Sequence, residues 1–108
     1  MDMTLREVCT ATNVSRRAVQ GYEKAGLVRA SGKTSRGYLI YNEETQERIR
    51  QIRLYQQLGF SIRKITEIID APNEVIKAAL EVQVVKLQEQ GENIEVLIRT
   101  AYELIEKL

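Results

Sequence analysis

The stretch Val14-Ser15-Arg16-Arg17-Ala18-Val19-Gln20-Gly21-Tyr22-Glu23-Lys24-Ala25-Gly26-Leu27 decides how this chain is read, because a short apolar stripe shares it with two adjacent arginines. Ser15 suits an N-cap, where its hydroxyl accepts a bond from a free backbone N–H, and Gly26 suits the left-handed residue that ends a helix. A helix from Arg16 to Lys24 places Arg16 and Arg17 in the first turn and Val19 with Tyr22 on one face. That face is enough to pack on a neighbouring helix but too little to fold alone. The first turn is the end that a helix-turn-helix pushes into the major groove, where guanidinium forks meet guanine edges or phosphates. The stretch therefore reads as a recognition helix.

The flanking residues supply what such a helix needs. Upstream, Thr4-Leu5-Arg6-Glu7 is a capping-box pattern with Leu5, Val8 and Cys9 at helical spacing, predicting a first helix that runs to about Ala11 or Thr12, with Asn13 in the turn. Downstream, Leu27-Val28-Arg29 and Tyr38-Leu39-Ile40-Tyr41 flank a basic Gly/Ser-rich loop over residues 30–37. Branched and aromatic runs around such a loop predict a two-stranded hairpin, which beside a helix-turn-helix is a wing. Lys33 and Arg36 near its tip reach phosphates, with the Tyr38 hydroxyl as a further donor. A flexible connector is the competing reading, and the position of the loop favours the wing.

Asn42 followed by Glu43 and Glu44 starts a third helix, with a cap and acids at its positive end, which continues through Ile49, Ile52, Tyr55 and Leu58 to Gly59. Ser61 caps a fourth helix whose buried side is Ile62, Ile65, Ile68 and Ile69, ended by Asp70-Ala71-Pro72. Arg63 and Lys64 stand in its first turn, where a helix prefers acids, a conflict that a bound phosphate resolves and a solvated pair merely tolerates.

From Asn73 onward Leu80, Val84, Leu87, Gly91, Ile94, Ile98, Ala101, Ile105 and Leu108 recur at alternating steps of four and three. This is a heptad seam, with Lys86, Glu92 and Glu95 on other faces, and it predicts one long helix that pairs with another. A homodimer through Leu80, Val84, Leu87, Ile94, Ile98, Ala101 and Ile105 is the economical arrangement. Packing on the chain's own domain competes less well, because five heptad steps reach farther than a small domain is wide. Gly91 is the weak point of the seam, by about 1 kcal/mol against alanine. The expected organisation is a winged helix-turn-helix domain over residues 1–71 and a dimerisation helix over 72–108, in a mainly α fold.

Composition narrows the function. The net charge of +1 over 108 residues hides an asymmetry: residues 1–64 hold 12 Lys/Arg against 6 Asp/Glu, and residues 65–108 hold 4 against 9. The front of the chain attracts a polyanion and the back does not. With no histidine and one cysteine, Cys9, the chain has little metal or imidazole chemistry to offer, no internal disulfide is available, and no cofactor is expected. Low cysteine use, short apolar runs and an N-terminus without a signal-peptide pattern predict a cytoplasmic protein with no membrane partner. An enzyme is not expected: Glu43, Glu44 and Glu47 read as a solvated helix start, and no nucleophile has a base near it in the sequence.

With these elements placed, the first 70 residues resemble the MerR family of bacterial transcription regulators, and the layout of the whole chain is similar to that family's. The resemblance rests on Val14-Ser15, Tyr22-Glu23, Gly26-Leu27, Gly37-Tyr38, Tyr41 and Leu58-Gly59-Phe60-Ser61, in that order. It implies that the second helix pair acts as a further wing and that the long helix forms an antiparallel coiled coil. It also implies binding to pseudo-palindromic operators in promoters whose spacer is too long, and activation by bending and untwisting the DNA, with RNA polymerase as a further partner. The candidate DNA-contacting set is Ser15, Arg16, Arg17, Gln20, Tyr22, Lys33, Arg36, Tyr38, Arg63 and Lys64.

Three positions depart from the family pattern. Gln20 and Gly21 stand where an arginine and an aromatic usually precede Tyr22-Glu23, and Leu39 stands where an arginine commonly follows Gly37-Tyr38. Gln20 retains the capacity to bond to adenine or a phosphate, Gly21 weakens its helix, and Leu39 offers no polar contact. The segment from Asp70 onward looks most like the connecting helix of drug-responsive members, which carry a further ligand domain. The expectation is either the DNA-binding part of a longer regulator or a regulator without that domain. Cys9, on the apolar face of the first helix, reads as a small core residue rather than a metal or redox sensor. Two other functions are carried forward: an architectural or excisionase-like protein that bends DNA without activating a promoter, and a coiled-coil interaction protein that has lost DNA binding.

Overall fold

Side-chain caps set where the helices begin in the computed structural model, which describes residues 1–108. Helix α1 (Leu5–Thr12) opens on a reciprocal capping box: the Glu7 N–H donates to Thr4 Oγ1 at 3.3 Å and the Thr4 N–H donates to Glu7 Oε1 at 3.0 Å. Asn13 closes it at a φ of 55°, in the left-handed region that asparagine tolerates better than most residues. Helix α2 (Arg16–Lys24) is capped by Ser15, whose Oγ accepts from the Ala18 N–H at 3.0 Å, and the chain leaves it through Gly26 at a φ of 78°. Asn42 and Ser61 cap α3 (Glu43–Gln57) and α4 (Ile62–Ile68) in the same way.

Three short strands, β1 (Met3–Thr4), β2 (Gly32–Lys33) and β3 (Leu39–Tyr41), form an antiparallel sheet in the order β1-β3-β2. Met3 pairs with Tyr41 and Thr4 with Ile40 on one side of β3, while Gly32 pairs with Ile40 and Lys33 with Leu39 on the other. The wing is therefore three-stranded, one strand more than the alternation of residues predicts. Its outer strand is also displaced from Leu27–Arg29 to Gly32–Lys33. Leu27 and Val28 are buried in the core instead. The hairpin register is set by its turn: the Gly37 N–H donates to Thr34 O at 2.9 Å, the Thr34 N–H to Tyr38 O at 2.8 Å, and Gly37 sits at a φ of 84°.

The chain divides into two compact units, Met1–Ala71 and Pro72–Leu108. The core of the first is Val8, Val14, Val19, Tyr22, Leu27, Val28, Tyr41, Ile49, Ile52, Phe60, Ile65 and Ile68, drawn from every helix of that unit and from the sheet. Thr12 and Gln46 are the polar members of this interior; Thr12 Oγ1 donates to the Val8 carbonyl at 2.7 Å, and Gln46 Nε2 donates to the Tyr41 and Met1 carbonyls at 2.8 and 2.7 Å, which ties the start of α3 to the sheet and the N-terminus. Arg48 ties three places together, donating from Nε to the Leu27 carbonyl at 2.9 Å and from both terminal nitrogens to Asp70 at 2.7 Å. The second unit is helix α5 (Asn73–Glu106), 34 residues and about 51 Å long, begun by Pro72 with no side-chain cap. No helix is long and apolar enough to cross a membrane.

Candidate nucleic-acid interface

Helix α2 is divided into two faces by its own periodicity. At about 100° per residue, Arg16, Arg17, Gln20 and Lys24 fall within one arc of about 100°, and all four are exposed. Val19 and Tyr22 fall on the opposite side and are buried. The result is a helix that presents three cations and an amide outward from a face with no packing duty. Neither Arg16 nor Arg17 is held in an ion pair or hydrogen bond within the protein. Lys24 lies outside the candidate set that the sequence suggests, although its place four residues after Gln20 and eight after Arg16 puts it on the same face.

Tyr22 does not belong with these outward residues. It is 2% exposed, and its hydroxyl donates to Gln56 Oε1 on α3, so the ring is core and the polar tip is already partnered. Burial pushes its phenol up, and the charge of Arg53 opposes that shift. A second tyrosine makes the matching link from the sheet: Tyr41, buried on β3, donates its hydroxyl to Glu23 Oε1 on α2. Burial and then the neighbouring carboxylate hold the Tyr41 phenol well above the usual tyrosine range. The two phenols fasten α2 to α3 on one side and to β3 on the other. Tyr22→Phe is accordingly expected to lower stability by about 1 kcal/mol in thermal unfolding, with affinity for DNA and its salt dependence unchanged. Lost DNA affinity at unchanged stability would return Tyr22 to the groove.

In the wing, Lys33, Arg36 and Tyr38 are exposed, and Arg36 sits beside Gly37 in the turn. Tyr38 keeps its ring in solvent, whereas Leu39 is half-buried and lies opposite Lys33 in the sheet. In the first turn of α4, Arg63 and Lys64 are both exposed, and Lys64 Nζ lies 3.7 Å from Glu67, one turn along. Lys64 is thus partly compensated within its own helix, which leaves Arg63 the less compensated cation at that helix start. Ser15 is occupied by capping, and its residue remains exposed at the entrance to α2.

On α5, Val84, Leu87, Ile94, Ile98 and Ile105 are large exposed apolar residues and Ala101 is exposed with them, while Leu80 is half-buried. Outside the seam, Leu97, Tyr102 and Leu104 add apolar surface to the last third of the helix. Cys9 is half-buried on α1; burial raises its thiol, and the charge of Arg16 works against that rise. No group of three or more His, Cys, Asp or Glu is placed to hold a metal ion. Of the glutamates at the start of α3, Glu43 accepts from the N-terminal ammonium and Glu47 pairs with Arg50 at 3.5 Å, so both serve surface pairs.

Comparison with known proteins places this geometry. The family model described as MerR HTH family regulatory protein matches residues 3–72. The HTH-type transcriptional activator mta of Bacillus subtilis is 31% identical over 100 residues, which is 93% of this chain and 39% of mta. The chain therefore spans about two fifths of that relative's length. Among solved structures, a MerR family transcriptional regulator from Bacillus cereus superposes with a TM-score of 0.87 at 26% identity, covering 99% of this chain and 82% of that one. The N-terminal part of the Bacillus subtilis multidrug transporter activator, MtaN, gives 0.76 at 29% identity, covering 95% and 97%.

Proposed function

The chain belongs to the MerR family of helix-turn-helix regulatory proteins, and from that membership we propose that it is a homodimeric, sequence-specific DNA-binding transcription regulator acting on a pseudo-palindromic promoter operator. The observation that carries the proposal is the outward face of α2, where Arg16, Arg17, Gln20 and Lys24 stand exposed on a helix fixed from behind by Val19 and Tyr22. Such a face can enter the major groove without disturbing the fold. Lys33, Arg36 and Tyr38 of the wing and Arg63 and Lys64 of α4 add phosphate contacts around it. Residues 1–71 form the DNA-binding domain in this reading, and 72–108 the dimerisation helix, paired as an antiparallel coiled coil.

Two-fold pairing lets one protein grip two half-sites. Bending and untwisting between them costs about 1–6 kcal/mol by elastic estimates, which the contacts of two recognition helices offset. RNA polymerase at the same promoter is then the partner that senses the altered geometry. The absence of a family-typical arginine at Gln20 and Leu39 favours one second reading, an architectural or excisionase-like protein that bends DNA without activating a promoter. Transcription from the bound promoter in a purified system separates the two: a changed transcript level supports the regulator, and bending alone supports the architectural protein.

The direct test is selection of bound fragments from genomic DNA with the purified chain, followed by titration at several salt concentrations. The expected result is an inverted repeat with fixed half-site separation and a steep fall in affinity with salt, about 0.9 in log–log slope for each phosphate neutralised. A salt-insensitive interaction, or no enriched sequence, overturns the proposal.

A further inference from the structure

On the groove-binding reading of α2 proposed above, we infer that Gly21 is the point where a wall of the DNA major groove comes closest to the protein. Its missing side chain is what lets the helix seat. After proline, glycine is the least favourable residue in a helix interior. Gly21 lies in the middle of a nine-residue helix, where that cost is hardest to absorb.

Nothing in the fold requires a glycine at this position. Such a residue ordinarily serves a left-handed backbone, a crowded contact or a bend. Gly21 is not among the residues with positive φ, which are Asn13, Gly26, Gly37 and Gly59. A Cβ built on it meets no atom within 4 Å. Its carbonyl accepts from the Ala25 N–H at 3.0 Å, so the helical ladder continues past it. The space a side chain would fill is open in the protein alone, and it becomes scarce only when something else comes close.

The periodicity of α2 says what that is. At about 100° per residue, Arg16, Gln20, Lys24 and Arg17 spread over an arc of about 100°, and Gly21 stands about 90° from its centre. A residue at the centre of the arc faces the floor of the groove, and one 90° away faces a wall. The major groove is about 12 Å wide and a helix with its side chains about 10–12 Å across, so clearance at the walls is close to nothing. Glu23 stands on the other flank, held by the Tyr41 hydroxyl of β3. Gly21 is exposed and makes its own flank narrow, while Arg17 and Lys24, exposed one turn before and after it, supply the charge that draws the phosphates of that wall inward.

The test uses the full chain and its selected operator fragment. Gly21→Ala is expected to raise the thermal midpoint by about 4 °C and to weaken operator binding about threefold, with Gly21→Leu weakening it about thirtyfold. Gly21→Lys should also weaken binding although it adds a cation, because bulk at the wall outweighs charge. Stability and affinity moving in opposite directions is a signature that a merely structural glycine does not give. Unchanged or tighter binding by Gly21→Ala overturns the inference, as does tighter binding by Gly21→Lys. A lower thermal midpoint in Gly21→Ala overturns it too, by returning the glycine to the fold. Arg16→Ala and Arg17→Ala, measured alongside, keep the underlying reading separate. If they weaken binding and Gly21→Ala does not, only this inference falls; if neither arginine matters, α2 is not the reading element and both fall.

Discussion

Arg16→Ala and Arg17→Ala should each weaken binding to the selected operator by about 1–3 kcal/mol per lost bidentate contact, or roughly 5- to 150-fold. Both side chains are exposed and neither is engaged elsewhere in the protein, so the loss belongs to DNA and not to folding. The parent and both variants should unfold at the same temperature. The salt dependence then tells base from backbone. An arginine on guanine leaves the slope nearly unchanged and relaxes selectivity at one position, whereas an arginine on phosphate lowers the slope by about one and weakens all sequences alike. Lys64→Ala is the internal comparison, because its ammonium already faces Glu67, and a much smaller loss is expected there. If neither Arg16 nor Arg17 affects affinity, α2 is not the reading element.

Ile98→Asp is expected to convert the dimer to monomer at micromolar concentration, measured by sedimentation equilibrium. Ile98 lies in the middle of the exposed seam, with Ile94 and Ile105 one turn before and two turns after it, and is 52% exposed in the single chain. Burying such a side chain contributes about 1.5–3 kcal/mol. An unpaired carboxylate in its place adds a desolvation cost of several kcal/mol. Two-fold symmetry applies both effects twice. DNA affinity should fall with dimerisation, since two linked half-site contacts become independent ones. Glu103→Ala, off the seam, should leave assembly intact. A stable Ile98→Asp dimer would show that the helices pair through another face.

The helix starts were legible because a cap is a local device. Thr4 with Glu7, Ser15, Asn42 and Ser61 each act within three residues of their own position, and the structure uses every one. Strand β2 was not legible. Gly32-Lys33 has neither branching nor alternation, and its place in the sheet comes from the Gly37 turn and from pairing with residues six and eight positions away. Strand β1 was hidden because Thr4 both pairs with Ile40 and caps α1, and only the second role has a sequence signature. Tyr22 is misleading in the sequence because its hydroxyl suggests a DNA donor, while its spacing from Val19 puts it on the buried face; the hydroxyl is satisfied by Gln56, 34 residues on. Arg48 had no sequence signal at all, since both partners are more than 20 residues distant.

The two-faced construction of α2 also bears on how such a protein can change over generations. Capping, packing and the links to α3 and the wing fall to Ser15, Val19, Tyr22 and Glu23, while positions 16, 17, 20 and 24 carry none of that work. Gly21 joins them, because a Cβ added there meets no atom within 4 Å. If these positions read the operator as proposed, the residues that spell it are separable from the residues that hold the helix, and a lineage can rewrite its target one letter at a time without passing through an unfolded ancestor.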